Sequence, residues 1–386
     1  MRSTLIGDLV EPIQKWNPRV EGKGEISYID ISSVDRHTHS IIAAKTIQAS
    51  EAPSRARQIV TNGDVLVSTV SPSSNTVAYV HSCFDGATAS TGFCVLRPQP
   101  YALHSRYLYH WVKTNSFVRY LTKFERGAIF PAVSDQVVKA TPIPTPTIEE
   151  QRRIAAVLDA AEALRAKCRQ ALAKLESLTQ VVFNDMFGRD VSDKRWVTTK
   201  LGDISEVISG ATPKTSEKSY WDGDIYWATP KDLSDLNGPY INTTSRTISA
   251  EGIQSCSASL LPVHSVLLSS RAPIGYVAIN KVPIATNQGF KSFVPDRTYV
   301  DSRFLYEYLR QYRPQLESLG SGATFKEVSK RVIEKIEISL PPLQLQEQFG
   351  NALDAVETMR IKLSEALVGL DALFASLQQR AFRGEL

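Results

Sequence analysis

Cysteine is scarce and scattered: Cys83, Cys94, Cys168 and Cys256 are the four in 386 residues, and no two form a C-x-x-C pair. Such spacing lacks the clustering a zinc site needs, and the chain is too long and cysteine-poor for a secreted disulfide framework. The four read as reduced, structural thiols. Long apolar runs are missing too, since none approaches the roughly 18 residues of a membrane-spanning helix. Residues 1–8 show no basic start followed by an apolar core, so no secretory signal is visible and the cytoplasm is the expected compartment. Also absent are G-x-G-x-x-G, G-x-x-x-x-G-K and H-E-x-x-H, which removes the common cofactor, phosphate and metalloprotease signatures. An adenine methylase would need Asn/Asp-Pro-Pro-aromatic, and Asn17-Pro18-Arg19 lacks the second proline and the aromatic. A strong charge bias is lacking as well: 44 Lys and Arg against 40 Asp and Glu leave +4, which permits nucleic-acid binding without arguing for it.

What the chain does have is an internal repeat. Sliding residues 146–187 forward by 195 positions sets Pro146 on Pro341, Gln151 on Gln346, Leu158-Asp159 on Leu353-Asp354 and Phe187 on Phe382 without a gap. The same shift sets Gly7-Asp8 on Gly202-Asp203, and Gly127-Ala128-Ile129-Phe130 on Gly322-Ala323-Thr324-Phe325. With a slightly different offset, Arg106-Tyr107-Leu108-Tyr109 matches Arg303-Phe304-Leu305-Tyr306. Two halves of about 195 residues therefore fill the chain, each long enough to bury its own core.

Each half ends in a long helix. In the first, Val157, Ala161, Leu164, Cys168, Ala171, Leu175, Leu178 and Val182 alternate spacings of four and three. Their counterparts are Ala352, Val356, Met359, Leu363, Ala366, Leu370, Leu373 and Leu377, again apolar. This alternation predicts a coiled-coil seam. The proline-rich stretches at Pro144, Pro146, Pro341 and Pro342 mark the helix starts. Residues 188–194, rich in Gly, Ser and Asp, read as a cap and linker.

The globular regions read as α+β. Short β-rich stretches at 65–70, 77–81, 93–96, 263–268 and 276–279 are bounded by turn residues, and 106–120 and 302–316 have helical spacing. The expected organisation is globular region 1–145, helix 146–188, globular region 192–340 and helix 341–386.

Two different globular regions alternating with two similar helices resemble the layout of type I restriction–modification specificity subunits. Leu201-Gly202-Asp203-Ile204, Ser270-Arg271-Ala272-Pro273-Ile274-Gly275 and Thr286-Asn287-Gln288-Gly289-Phe290 are family-like, as is the ending Ala381-Phe382-Arg383-Gly384-Glu385-Leu386. The first half departs from the pattern, with Thr69-Val70-Ser71-Pro72-Ser73-Ser74 in the middle position, so contacts in one half do not transfer to the other. The resemblance implies two target recognition domains reading an asymmetric, split site on double-stranded DNA. It implies helices paired as an antiparallel coiled coil around a pseudo-two-fold, and docking of two methyltransferase subunits with restriction and translocase subunits reached through them. The chain itself would bind no cofactor; S-adenosylmethionine, ATP and Mg²⁺ would belong to the partners. A helix of about 38 residues would measure about 57 Å, against about 34 Å per turn of DNA, so a fixed unread spacer is expected.

Base readout needs donors and acceptors, with cations on phosphates. In the second half the candidates are Lys214, Lys218, Tyr220, Lys231, Arg246 and Arg271, with Asn287 and Gln288 as amides suited to adenine. In the first they are Arg19, Lys23, Arg36, His37, Arg55 and Arg57. Beside these stand plainer readings: Trp221 and Trp227 as core, the lysines as solvated surface, Asn287-Gln288 as a turn. His37 and His39 suggest a metal only weakly, because no third ligand is near in sequence. Other functional readings are a methylation-only or other phage-defence assembly, a coiled-coil protein scaffold, and a self-sufficient nuclease or methylase. Salt-dependent duplex binding separates the scaffold from the DNA reader.

Overall fold

The computed structural model describes residues 2–127, 131–188, 195–271, 273–321 and 326–386. The repeated Ala128-Ile129-Phe130 and Gly322-Ala323-Thr324-Phe325, Ala272, and linker residues 189–194 lie outside these. The chain forms two compact units, Met1–Cys168 with Ala366–Leu386, and Arg169–Glu365. Each unit thus takes one globular region and half of each long helix, so the compact units are drawn differently from the sequence boundaries.

In unit 1 a four-stranded antiparallel sheet runs in the order Val10–Glu11, Phe93–Pro98, Val65–Ser68 (β1), Val77–Tyr79 (β2). A second sheet orders Lys45–Gln48, Glu25–Ile29, Thr88–Ser90 and Ala56–Ile59, with the middle pair parallel. All four residues of β1 are buried, as expected of an apolar run covered on both faces. Unit 2 repeats the order: Ser205–Ser209, Lys291–Pro295, Val266–Leu268 (β3), Val277–Asn280 (β4), extended by Tyr240–Ile241. Its second sheet orders Thr247–Ile248, Trp221–Ala228 and Ile284–Thr286, again with a parallel pair.

Helix Ser105–Val112 (α1) in unit 1 and helix Ser302–Gln311 (α3) in unit 2 pack on these sheets. The expected single helices there are each broken in two. Asn115–Thr122 starts afresh after α1 because the Thr114 hydroxyl caps Phe117 N–H, and Arg313–Leu319 restarts at Pro314. The long helices are Ile148–Phe187 (α2, 40 residues) and Leu343–Arg383 (α4, 41 residues). No helix among the described residues is long and apolar enough to cross a membrane.

Within unit 1 the two long helices run antiparallel. Arg153 donates to the Leu386 carbonyl at 2.6 Å, and Arg165 pairs with Asp371 at 2.5 Å. Unit 2 has the same sense: Phe183 meets Phe349 at 5.2 Å, while the earlier Glu176 faces the later Arg360. The stripe they bury corrects half of the expected seam. Ala161, Cys168, Leu175 and Val182 lie on it, as do Val356, Leu363, Leu370 and Leu377. The alternate positions move one residue onward, to Leu158, Arg165, Leu172 and Thr179 on α2, and to Leu353, Arg360, Leu367 and Phe374 on α4. Leu164 (54% exposed), Leu178, Met359 (55%) and Leu373 therefore face outward, and Val157 only flanks the fully buried Leu158. An apolar-only reading selects Leu164 over Arg165 and Met359 over Arg360. It fails because each arginine lays its aliphatic stem in the stripe and pairs its head, with Asp371 and Glu357 respectively.

Candidate nucleic-acid interface

In unit 2 an open groove of about 610 Å³ collects Lys231, Arg271, Asn287 and Gln288 together with Thr229 and Tyr276. Arg271 directly follows the buried Ser269 and Ser270, and its backbone bridges to Glu327. The two serines build the loop: Ser269 Oγ donates to the Pro273 carbonyl at 2.8 Å, and Ser270 Oγ to the Gly289 carbonyl at 3.2 Å. Asn287 serves the turn, its Oδ1 accepting from Gly289 N–H at 2.9 Å, while Gln288 is exposed.

Lys214, Lys218 and Tyr220 are outside the groove's lining, in a loop fastened beside it. Thr212 bonds the Gln288 side chain, Ala211 N–H donates to the Thr286 carbonyl at 2.9 Å, and Trp221 Nε1 donates to the Lys214 carbonyl at 3.2 Å. Gly210 is needed here, because a Cβ would lie 2.0 Å from the Asn287 carbonyl. Tyr220 is half-buried and its carbonyl accepts from Ser249 N–H. Trp227 is core, whereas Trp221 is half-buried with the Arg246 guanidinium 3.7 Å above its ring. Stacking of this kind holds the guanidinium plane while leaving its edge donors available.

Unit 1 has a groove of about 470 Å³ lined by Arg36, His37, Ile42, Val70, Ser71 and Ser74, among others. The structure does not bring the other four cations into it. Arg19 is spent on the fold, its Nε donating to the Ala52 carbonyl at 2.6 Å. Lys23 is exposed on the loop that follows, Arg55 directly precedes the edge strand Ala56–Ile59 and accepts from Thr91 N–H through its carbonyl, and Arg57 lies within that strand, its carbonyl accepting from Trp16 N–H. His37 is exposed and His39 is not beside it in chemistry: burial, with Lys113 nearby, pushes His39 down to about 4.

Sequence reading missed the densest polar network of each unit, where α1 or α3 meets a long helix. Arg106 on α1 grips Asp159 on α2 with contacts of 2.5–3.0 Å, and His110 Nε2 lies 2.6 Å from the same carboxylate. Burial works against the Asp159 charge, yet the His110 and Arg106 hydrogen bonds hold it down to about 2. Lys113, buried, pairs with Glu162. In unit 2, Arg303 on α3 bridges Asp301 and Asp354, each at 2.7 Å, and Tyr240 Oη bonds Asp354. Glu307 is fully buried against Arg310, and burial raises its pKa. His110, Asp159 and Glu162 are the one His/acid convergence with metal-ligand spacing among the described residues. Arg106 and Lys113 already neutralise those carboxylates, so the donor set is spent on ion pairs rather than free for a cation.

The signal for this network was present in the repeat. Gln151 donates to the Ala102 and Pro146 carbonyls and accepts from His104 N–H; Gln346 does the same with Tyr299, Pro341 and Asp301. Phe382 packs on Tyr107 at 5.1 Å, and Phe187 on Phe304 at 5.0 Å. The residues shared between halves are those that fix each globular region to its helices.

Two alike units, each joining a mixed sheet-and-helix region to parts of both long helices, with an open groove holding Lys231 and Arg271 in unit 2, define an internally duplicated two-unit protein. The chain belongs to the family of the type I restriction modification DNA specificity domain, whose profile matches residues 6–177 and again 193–368. It is similar to the MjaIX specificity subunit of Methanocaldococcus jannaschii, 40% identical over 163 residues, which are 42% of this chain and 37% of that one. The HindI specificity subunit of Haemophilus influenzae is 20% identical over 416 residues, covering 88% of this chain and 89% of that one. A chain from a structure titled as the basis of complex assembly and conformational transition of the type I R-M system has a TM-score of 0.66 at 26% identity. It covers 100% of this chain and 98% of its own length.

Proposed function

We propose that this chain is the non-catalytic specificity subunit of a cytoplasmic type I restriction–modification complex, reading an asymmetric split site on duplex DNA with one unit per half-site. The observation that carries this reading is the unit 2 groove, where Arg271, Lys231 and Gln288 converge on an open surface beside the stacked Arg246. Cations at the helix junctions, such as Arg106, Arg303 and Arg360, are all neutralised by carboxylates. Lys231, Lys214 and Lys218 make no ion pair among the described residues, which suits them to phosphates.

The long helices then act as an antiparallel coiled coil relating two halves of an internal repeat, setting an unread spacer. Their outward apolar residues, Leu164, Leu178, Val181, Met359, Ile361, Val368 and Leu373, would receive two methyltransferase subunits. Restriction and translocase subunits would be reached through these, and S-adenosylmethionine, ATP and Mg²⁺ would be held by the partners. Arg271→Ala tests the reading. It should weaken cognate-duplex binding by about 1–3 kcal/mol and relax one base position in the second half-site. Unchanged affinity and motif in a folded variant would remove the groove from the account.

A further inference from the structure

We propose that the first half-site is read by the turn at residues 71–75 together with Arg36 and Ile42, and that these recognise a guanine and a neighbouring thymine in the major groove. The inference rests on the DNA-reading function above and concerns the half where the family-like motif is missing.

The two units place their grooves at the same point of the fold. In unit 2 the groove lies at the β3–β4 connection; in unit 1 it lies at the β1–β2 connection. A residue shortly after each first strand is matched by its bridge: Arg271 pairs with Glu327, and Val70 pairs with Ala132. Val70 therefore occupies the place of Arg271, and the principal base-reading cation of unit 2 has no equivalent there. The neighbouring loop supplies one instead. The segment entering the strand Ser40–Ile41 reads Asp35-Arg36-His37-Thr38-His39, whereas the one entering Tyr240–Ile241 reads Asp235-Leu236-Asn237-Gly238-Pro239, with no cation. The unit 2 groove is lined by two cations, Lys231 and Arg271, and the unit 1 groove by Arg36 in their stead.

The wall that carries Arg36 is pre-shaped. Asp35 Oδ1 accepts from His37 N–H at 2.7 Å and Thr38 N–H at 2.8 Å, which fixes the turn and leaves Arg36 exposed. Arg36 makes no ion pair among the described residues. The opposite wall is held in a conformation that side chains rarely adopt, since Ser71 and Asn75 both have left-handed backbone (φ 48° and 44°) around Pro72. Ser71 N–H donates to Pro131 O at 2.7 Å and Asn75 Nδ2 to Lys113 O at 3.2 Å, so the turn is clamped from both ends while Ser73 and Ser74 stay exposed. Between the walls sits Ile42, 64% exposed, an apolar side chain with no partner that its burial explains.

The chemistry selects the bases. A guanidinium edge matches guanine O6 and N7, a branched apolar group matches the thymine methyl, and serine hydroxyls accept or donate to either base. The test uses the full chain with its cognate methyltransferase subunit, read by methylation-sensitive sequencing, alongside duplex-binding measurements. Arg36→Ala should lower discrimination at one G·C pair of the first half-site by about 5- to 150-fold and leave the second half-site intact. Ile42→Ala should relax an adjacent T·A pair, and a Ser73→Ala, Ser74→Ala double variant should relax the same half. Uniform loss of affinity with the motif retained would make Arg36 a phosphate contact and overturn the proposal, as would an unchanged motif in all three variants. Arg271→Ala in the same assay separates the failures: if it alters the second half-site while the unit 1 variants alter nothing, only this inference falls. If none of the variants changes any position, the DNA-reading function falls too.

Discussion

On α1 in unit 1, His110 and the capping Lys113 face the buried ring of Phe374 on α4, with Lys113 and Arg165 both over that ring. On α3 in unit 2 the matching positions are Glu307 and Arg310, paired with each other, and the 195-residue shift puts Thr179 where Phe374 would be. A cavity of about 570 Å³ opens there, lined by Thr179, Glu307, Arg310 and Arg360 among others. Around these differences the frame is constant: a glutamine staple at the helix start, an arginine–aspartate grip, and a phenylalanine against the first turn of the short helix. The difference teaches which contacts the architecture demands and which it leaves to each half. Close backbone approach is part of the demand, since Gly7 sits 3.2 Å from the Lys139 carbonyl by its missing Cβ and Gly202 3.1 Å from that of Glu334.

Breaking the comparison starts with the filled site. Phe374→Ala should destabilise the protein by about 3–5 kcal/mol, as for a large buried aromatic, whereas Thr179→Ala should change it by under about 0.5 kcal/mol. Thermal unfolding of both variants checks this, and equal losses would mean the cavity in unit 2 is collapsed in solution. The grip comes next. Loss of one partner from a buried pair costs about 3–5 kcal/mol; with Asp159 and Asp354 partly exposed, Arg106→Ala and Arg303→Ala should each cost about 1–3 kcal/mol. Hydrogen exchange should place each loss in its own unit, and a loss spread evenly over both would contradict separate clamps.

Acidification should then pull the units apart in sign. Burial lowers His39 to about 4 from 6.5, and lowers His110, so below pH 6.5 the unfolded chain takes up protons that native unit 1 refuses. The contribution of these residues is whole above pH 6.5 and lost as pH falls toward 4. Glu307 runs the other way: its raised pKa favours the native state below its ordinary 4.5, and that contribution fades as pH rises through the native value. Unit-resolved hydrogen exchange between pH 7 and 5 should show unit 1 loosening first; parallel behaviour would remove burial as the cause. The smallest effect sharpens the stripe assignment. Leu373→Ala and Leu164→Ala should alter the stability of the isolated chain by under about 0.5 kcal/mol, and a loss comparable to Phe374→Ala would restore the apolar-only seam.

Much of the fold was legible because the repeat repeats what is structurally indispensable. Gln151 and Gln346, Asp159 and Asp354, Arg106 and Arg303, and Phe187 and Phe382 were matched letters in the sequence and are matched contacts in space. Their partners were not legible, since an arginine finds its aspartate about 50 positions away only through the fold. The helix stripe was half legible: positions shared by both four-three phases were found, and the rest slipped to apolar neighbours because Arg165 and Arg360 look like surface residues until their stems are seen buried. Site residues were least legible. Lys231, Arg271, Asn287 and Gln288 come together in one groove, yet Arg19 proved to hold a backbone carbonyl, and Ile42 carried no sequence signal because its exposure is a property of the fold.

The most direct test of the central claim exchanges residues 195–340 for those of a related subunit, supplies the cognate methyltransferase subunit, and maps methylated sites by sequencing. The account predicts that one half of a split motif changes while the other half and the spacer stay. A complete motif that survives the exchange unchanged would contradict the claim that each unit reads its own half-site.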